Sequence, residues 1–291
     1  MPAWFGIESP DCDYARARVV IIPAPYEGTV TWGKGASQAP EAIRQVSPYI
    51  EFYDSIIGLE TSTIGIHGRE PLIMPDDPWK AALLVKAAVA QELETLRHPV
   101  MVGGEHSLTL GAVSACLERY PGLTVLQLDA HADLRDQYEG SKFSHACVMR
   151  RIADLGANLV QAAVRAMCRE ERDWLDQNRR GVISARSILR QNDWIEKIMA
   201  SLSPHVYFSL DLDCLDPAEM PATGTPEPGG ISYQHIIDLA LAIRDSGKQV
   251  IAMDMVELAP IPGLRHPDYL AAQLLYNLIG AFWAREKSSR P

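Results

Sequence analysis

At 291 residues, with 47% hydrophobic and 22% charged residues, the chain has an ordinary globular balance and enough length to bury a core without help from disulfides or metal, which excludes disordered, collagen-like and coiled-coil classes. The formal charge of −10, from 27 Lys+Arg against 37 Asp+Glu, disfavours nucleic acid as a partner, because an acidic surface repels phosphate, and it is compatible with a small cationic ligand. No apolar run reaches the roughly 18 residues of a membrane span, the N-terminus Met1-Pro2-Ala3-Trp4 lacks a basic-then-apolar leader, and the odd set Cys12, Cys116, Cys147, Cys168 and Cys214 has no C-x-x-C spacing, so a cytoplasmic protein with cysteines as small core residues is expected.

The first predicted strand is 18–22 (RVVII), followed by a helix near 40–47 with Pro40 in its first turn. Strand 61–66 precedes a long helix over 76–97, where Asp76 and Asp77 ahead of Pro78 form a capped start. Then come strand 99–102, helix 107–119, strand 124–128, helix 145–154, strand 158–164, helix 170–178, strand 181–184 and helix 190–201. Strand 206–210, helix 232–245 with Ser232 as N-cap, strand 249–253 and helix 267–284 complete the series. The strands read as continuous apolar runs, the pattern of strands buried on both faces. Such alternation predicts parallel strands with right-handed crossovers, either as a closed barrel or as an open sheet. No linker, low-complexity segment or internal repeat divides the chain, so a single domain over 1–291 is expected. Loops 23–39, 129–144 and 211–231 are long enough to be functional.

In either architecture, ligands bind at the carboxyl ends of the strands. Those ends carry Gly103-Gly104-Glu105-His106-Ser107, Asp129-Ala130-His131-Ala132-Asp133, Asp211-Leu212-Asp213-Cys214-Leu215-Asp216-Pro217, and finally Asp254 and Glu257. In extended chain, i, i+2 and i+4 point the same way, so Asp129, His131 and Asp133 would converge, as would Asp211 and Asp213. Two imidazoles and four carboxylates this close would repel and shift each other's pKa unless cations sat among them. Oxygen and imidazole donors without thiolate suit hard or borderline divalent ions, and six ligands exceed the need of one tetrahedral zinc; two Mn²⁺ ions fit best. The Gly103-Gly104 pair is a tight turn and not a phosphate loop, since neither G-x-G-x-x-G nor G-K-[ST] follows.

GGEHS, DAHAD and SLDLDCLDP, in that order, resemble the ureohydrolase family of arginases and agmatinases, and the branch resembled most is prokaryotic agmatinase. Pro40-Glu41-Ala42-Ile43-Arg44 and Ala222-Thr223-Gly224-Thr225-Pro226-Glu227-Pro228-Gly229-Gly230 extend the likeness from about Pro23 to Glu257. The resemblance implies a three-layer α/β/α sandwich with a mainly parallel, roughly eight-stranded sheet. It implies that His106, Asp129, Asp133 and Asp211 hold one Mn²⁺, and that Asp129, His131, Asp211 and Asp213 hold the other, with Asp129 and Asp211 shared. Glu257 falls where the family binds the guanidinium group, and His145 where it has a histidine implicated in proton transfer. Two departures stand out: Glu105 replaces the Asp of many agmatinases, and Ala146 replaces the Gly that usually follows the histidine. Arg135 lies near where arginases carry a small polar residue, which weighs against arginase.

The implied reaction is hydrolysis of a guanidino group to urea and a primary amine, with agmatine to putrescine, a step of polyamine biosynthesis, as the first reading. Aminopropylagmatine, guanidinobutyrate, arginine, and a metal-binding member without activity are the alternatives. Asp133 is the expected proton carrier to the departing amine, with His145 exchanging protons with solvent. Glu27, Asp136, Glu139 and Glu227 are candidate contacts for the substrate's far end, and Trp32 for the wall of its entrance. The family also implies a homo-oligomer, trimer or hexamer. A two-metal phosphoesterase is disfavoured because neither G-N-H-[DE] nor G-H-x-H occurs, and a single-zinc deacetylase because it would use fewer ligands.

Overall fold

The structure is a computed structural model and describes residues 3–284; Met1 and Pro2 of the N-terminal segment, and residues 285–291 at the end of the expected domain, lie outside the described residues. Among the described residues there are ten strands: β1 (Val19–Ala24), β2 (Tyr53–Asp54), β3 (Leu59–Glu60), β4 (Ile66–Gly68), β5 (His98–Gly103), β6 (Thr124–Leu128), β7 (Asn158–Val164), β8 (Val182–Ser184), β9 (His205–Asp211) and β10 (Gln249–Val256). The helices are α1 (Ala39–Val46), α2 (Pro78–Glu94), α3 (Thr109–Arg119), α4 (Val148–Asp154), α5 (Arg169–Gln177), α6 (Ala185–Arg190), α7 (Trp194–Ser201), α8 (Tyr233–Asp245) and α9 (His266–Trp283). No described helix is long and apolar enough to cross a membrane.

Eight strands form one sheet in the order β4-β1-β5-β10-β9-β6-β7-β8, with every neighbouring pair parallel. The sheet is open, with edges at β4 and β8, so the barrel alternative is excluded. Alternate side chains feed opposite layers, as the twofold period of a strand requires. Ile21 and Phe208 pack on one face with Ile43 of α1, Ile198 of α7, Ile236 of α8 and Leu275 of α9. Val20, Ile22 and Tyr207 pack on the other with Val85 of α2, Val113 of α3, Ile152 of α4 and Leu175 of α5. The result is the helix–sheet–helix sandwich expected from the sequence.

Most predicted elements fall within a few residues of the observed ones, and the exceptions have local causes. Residues 61–66 were expected to be a strand. Thr61–Ile64 is instead a 3₁₀ turn, Ser62 donates its N–H to the Tyr276 hydroxyl, and Gly65 at φ 83° turns the chain, so only Ile66–Gly68 joins the sheet edge. The single helix expected over 190–201 is two: α6 begins earlier, with the Ser184 hydroxyl accepting the Ser187 N–H at 3.1 Å, and Gln191 is extended at ψ 136°. The expected helices from 107 and 145 open with 3₁₀ turns at His106–Leu108 and His145–Cys147. Asp77, not Asp76, caps α2 by accepting the Lys80 N–H at 2.8 Å. The antiparallel β2–β3 hairpin had no clear signal in the sequence.

The strand order positions the site. β5, β10, β9 and β6 are consecutive across the middle of the sheet, and these are the four strands whose carboxyl ends carry the polar motifs. After β5 the chain skips two places and returns as β6, leaving a gap that β9 and β10 fill much later. Residues as far apart as His106 and Glu257 thereby come together at the crevice where such sheets bind ligands. Phe208, fully buried in the middle of β9, supports that arrangement from one side. Phe208→Ala is expected to cost about 3–5 kcal/mol in unfolding free energy. Urea unfolding followed by circular dichroism measures it, and a loss under about 1 kcal/mol would mean that the layer repacks freely.

Candidate metal centre

A cavity of about 350 Å³ opens over the carboxyl ends of these four strands, and His106, His131, Asp133, Asp211, Asp213, His145 and Glu257 all line it. Gly104 brings the floor together: a Cβ there would meet the Tyr26 carbonyl oxygen at 1.8 Å, so only glycine lets the chain leaving β5 pass so close to the segment after β1. The extended-chain convergence expected for the aspartates is not how they meet. Asp133 has φ 53°, a left-handed backbone and not an extended one, and its carboxylate comes to 3.1 Å from His106 Nδ1. Asp213 sits in a 3₁₀ turn, Leu212–Cys214, and donates its N–H to Asp211 Oδ1 at 2.9 Å. Glu257 also has positive φ, 66°. Non-glycine residues held this way cost about 1–3 kcal/mol each and concentrate at functional sites.

Two groups could hold a cation: His106, Asp129 and Asp133; and Asp129, His131 and Asp213. Within each, the ligand atoms lie within 4.8 Å of one another, and Asp129 belongs to both. His106 Nδ1 is 3.1 Å from Asp129, 3.1 Å from Asp133 and 3.4 Å from Asp211. His131 Nδ1 is 2.9 Å from Asp213 and 3.6 Å from Asp129. All six predicted ligand residues are therefore together; Asp211 joins through its approach to His106.

Hydrogen bonding assigns the His106 tautomer. The Ser209 hydroxyl donates to Asp254 Oδ1 at 2.8 Å, so its oxygen accepts from His106 Nε2–H at 3.0 Å. Asp254 is fully buried and also receives the Thr109 hydroxyl at 2.7 Å and the Tyr207 hydroxyl at 2.6 Å. The Nδ1 lone pair is then bare, has no hydrogen-bond donor, and faces three carboxylates. A bare lone pair opposite three anions requires a cation or a proton between them. Gln127 donates to Asp129 at 2.6 Å and accepts from Gln161, which also donates to the Ala132 carbonyl, so the second motif is braced from within the sheet.

The electrostatics follow from this crowding. Burial, then the charges of Asp213 and Asp129, hold Asp211 well above the carboxylate range; burial and Asp129 likewise raise Asp133 and Asp213. Burial alone would lower His131, but hydrogen bonds to Asp129 and Asp213 outweigh it and push it up to about 12. His106 is raised for the same reason, by Asp129 and Asp133 against burial. Asp129 goes the other way: burial opposes its ionisation, yet bonds from both imidazoles keep it below the ordinary range. Burial and the Glu105 charge raise Glu257, although His106 N–H donates to its Oε1 at 2.6 Å.

His145 stands in a different network. The Thr29 hydroxyl donates to Glu105 at 2.6 Å, so its oxygen faces His145 Nδ1–H at 3.2 Å as acceptor. The Thr31 hydroxyl lies 2.9 Å from Nε2 and donates to it. Burial lowers the pKa of His145, consistent with a neutral ring. Glu105 also accepts the N–H groups of Gly28 and Thr29 and the Ser107 hydroxyl. It touches none of the six clustered residues through its side chain; its role is to clamp the loop after β1.

Of the four acids expected at the far end of the pocket, only Glu227 lines it. Glu27 is occupied by the Gly35 and Ser37 N–H groups and the Ser37 hydroxyl. Asp136 is paired with Arg151 at 2.7 Å and Lys142 at 3.4 Å, and Glu139 is exposed away from the cavity. Trp32 does line the mouth. Ser209, Thr29, Thr31 and Gln127 were missed in the sequence, where a lone hydroxyl or amide carries no pattern; Asp254 had a signal, as the only acid inside the apolar run 249–256.

Comparison with known proteins follows the same lines. At 36% identity over 95% of this chain and 92% of its own length, the N(1)-aminopropylagmatine ureohydrolase of a Synechocystis species is similar to it. The protein of that name from Thermus thermophilus is 38% identical over 93% of this chain and 92% of its own length. The crystal structure of an agmatine ureohydrolase of Thermoplasma volcanium superposes with a TM-score of 0.88 at 30% identity, covering 98% of this chain and 97% of that one. A family model described as the arginase family matches residues 17–280, nearly the whole described structure, and the chain belongs to that family.

Proposed function

We propose that the chain is a binuclear-metal ureohydrolase, a single domain that cleaves the guanidino group of agmatine, or of its N-aminopropyl derivative, to urea and an amine. The observation that carries this is the bare His106 Nδ1 facing three carboxylates beside a second His/Asp group that shares Asp129. The donor set of oxygen and imidazole suits two Mn²⁺ ions. In this reading His106, Asp129, Asp133 and Asp211 hold one ion, and Asp129, His131, Asp211 and Asp213 the other. When bound, such a pair supplies a water of lowered pKa with a fixed line of attack. The longer substrate is favoured by the names of the similar Synechocystis and Thermus proteins.

The chain's own residues do the rest. Glu257, whose ionised form is disfavoured while it has no cation beside it, receives the guanidinium through charge-assisted hydrogen bonds and fixes its carbon over the cluster. Asp133, held high by burial, carries a proton to the departing amine. His145, neutral and with Nε2 toward the Thr31 hydroxyl, exchanges that proton with solvent. A cytoplasmic homo-oligomer, trimer or hexamer, serving polyamine biosynthesis completes the reading.

Urea release by Mn²⁺-reconstituted protein on agmatine, aminopropylagmatine, guanidinobutyrate and arginine tests the reaction. Turnover of the amine-ended guanidines is expected; silence across the panel with about two Mn²⁺ bound per chain would leave a metal-binding protein without this activity. His131→Ala is expected to lose metal from one position and reduce turnover at least about a hundredfold. Full metal content with near-normal turnover would defeat the ligand assignment.

Metal loading should also depend on pH in a set direction. Both imidazoles and the raised aspartates bind protons that entering cations must displace, so acid competes with metal. Mn²⁺ titration by calorimetry in buffers of different ionisation enthalpy is expected to show proton release and tighter binding at about pH 8 than at about pH 6. Equal affinity at both, with no protons released, would contradict the assigned ligands.

A further inference from the structure

The cavity is lined by two unlike features. One is the Arg135 guanidinium, 5.1 Å from the centre of the Tyr138 ring, and both side chains line the pocket. The other is the pair of loops 28–35 and 222–230, where Gly33 N–H donates to the Gly224 carbonyl at 3.2 Å. A Cβ at Gly33 would meet that carbonyl oxygen at 2.7 Å, so the two loops touch backbone to backbone.

Both loops are built rather than loose. Glu105 and Glu27 grip the first at its two ends through the N–H groups of Gly28, Thr29, Gly35 and Ser37. Arg165 rivets the second, donating to the carbonyls of Asp213, Leu215 and Glu227. What these fixed loops present is unusual. Trp32 stands 77% exposed, and among the described residues its ring stacks on no other. Glu227 has a side chain 41% exposed, and no Lys or Arg of the described residues pairs with it; its nearest charged-group neighbour is His131 Nε2 at 4.0 Å.

We propose that Trp32 and Glu227 form a subsite for the distal ammonium of the substrate, Trp32 covering the methylene chain and Glu227 pairing with the terminal amine. An indole face attracts both methylenes and a cation. The Arg135 guanidinium in the same cavity lining repels that cation, which leaves Glu227 to draw it. The ligand class is therefore a guanidine ending in one or more amines, and a carboxylate end is disfavoured at Glu227. This inference rests on the guanidine-hydrolase reading above and assigns the residues that select among its substrates.

The test compares wild type, Trp32→Ala and Glu227→Gln, all loaded with Mn²⁺, on agmatine, aminopropylagmatine, guanidinobutyrate and butylguanidine, which has no distal charge. In both variants the ratio of kcat/KM for agmatine to that for butylguanidine is expected to fall about fivefold to thirtyfold, through KM, with metal content unchanged. The ratio for guanidinobutyrate over agmatine should rise in Glu227→Gln. An unchanged ratio in both variants overturns the subsite, as does loss of bound metal in Glu227→Gln, which would mean that Glu227 serves to orient His131. If wild type releases no urea from any of the four, the reaction assignment fails; the subsite is then read by calorimetric binding of agmatine to the same proteins, weaker in both variants if it exists and equal if it does not.

Discussion

The structure turns on one electrostatic constraint: His106 Nδ1 and oxygens of Asp129, Asp133 and Asp211, all buried residues, approach within 3.4 Å. Each of these groups alone would be costly to bury, and together they repel. The fold holds them in place from behind. Asp254 and Ser209 turn the imidazole so that its lone pair faces the carboxylates, and Gln127 steadies Asp129. Moving the His106 proton from Nε2 to Nδ1 would break the Ser209 bond and leave a buried hydroxyl oxygen without a donor. The repulsion is thus fixed by hydrogen bonds that have no other obvious purpose, an arrangement that makes sense when cations complete it.

The sheet order explains why the constraint can be met. Two strands carrying aspartates, β6 and β9, are neighbours, and β10 and β5 continue the row. A chain following its sequence order across the sheet would have set β5 beside β6 and left no crevice between them. The late insertion of β9 and β10 opens that crevice and supplies Asp211, Asp213 and Glu257 to it. Asp133 and Glu257, both lining the cavity, are among the non-glycine residues held at positive φ.

Much of this was legible in the sequence because its signals are local. Strands such as 124–128 and 158–164 read correctly as continuous apolar runs, since both faces are buried. The motifs are compact strings at strand ends, so the clustered residues could be named without knowing the strand order. The failures are nonlocal. Residues 61–66 have strand composition, yet Tyr276, more than two hundred positions away, takes the Ser62 N–H. The i, i+2 argument named aspartates that do come together, but turns at Asp133 and Asp213, not an extended chain, bring them there. Glu27 and Asp136 have the right charge for the pocket, but their partners, loop N–H groups and Arg151, are invisible to composition.

The acids of this chain divide by what answers their charge. Glu105 and Glu27 are met by backbone N–H groups, so they organise loops and need no cation. Asp254 is met by three hydroxyls and organises the floor of the site. Asp136 is met by Arg151 and Lys142 at the surface. Asp133 is met by the His106 imidazole, Asp211 by His106 and one backbone N–H, and Asp213 by His131 and one backbone N–H, each against neighbouring carboxylates, while Glu257 has a single backbone N–H and Glu227 only His131 at 4.0 Å. The unmet charge therefore collects in one cavity, which Asp133, Asp211, Asp213, Glu227 and Glu257 all line. Such a cavity favours cations as its occupants. Lysine side chains could have neutralised these acids, but they would have filled the space that the ligand needs. Charge left unmet in this way draws a positively charged occupant into the pocket.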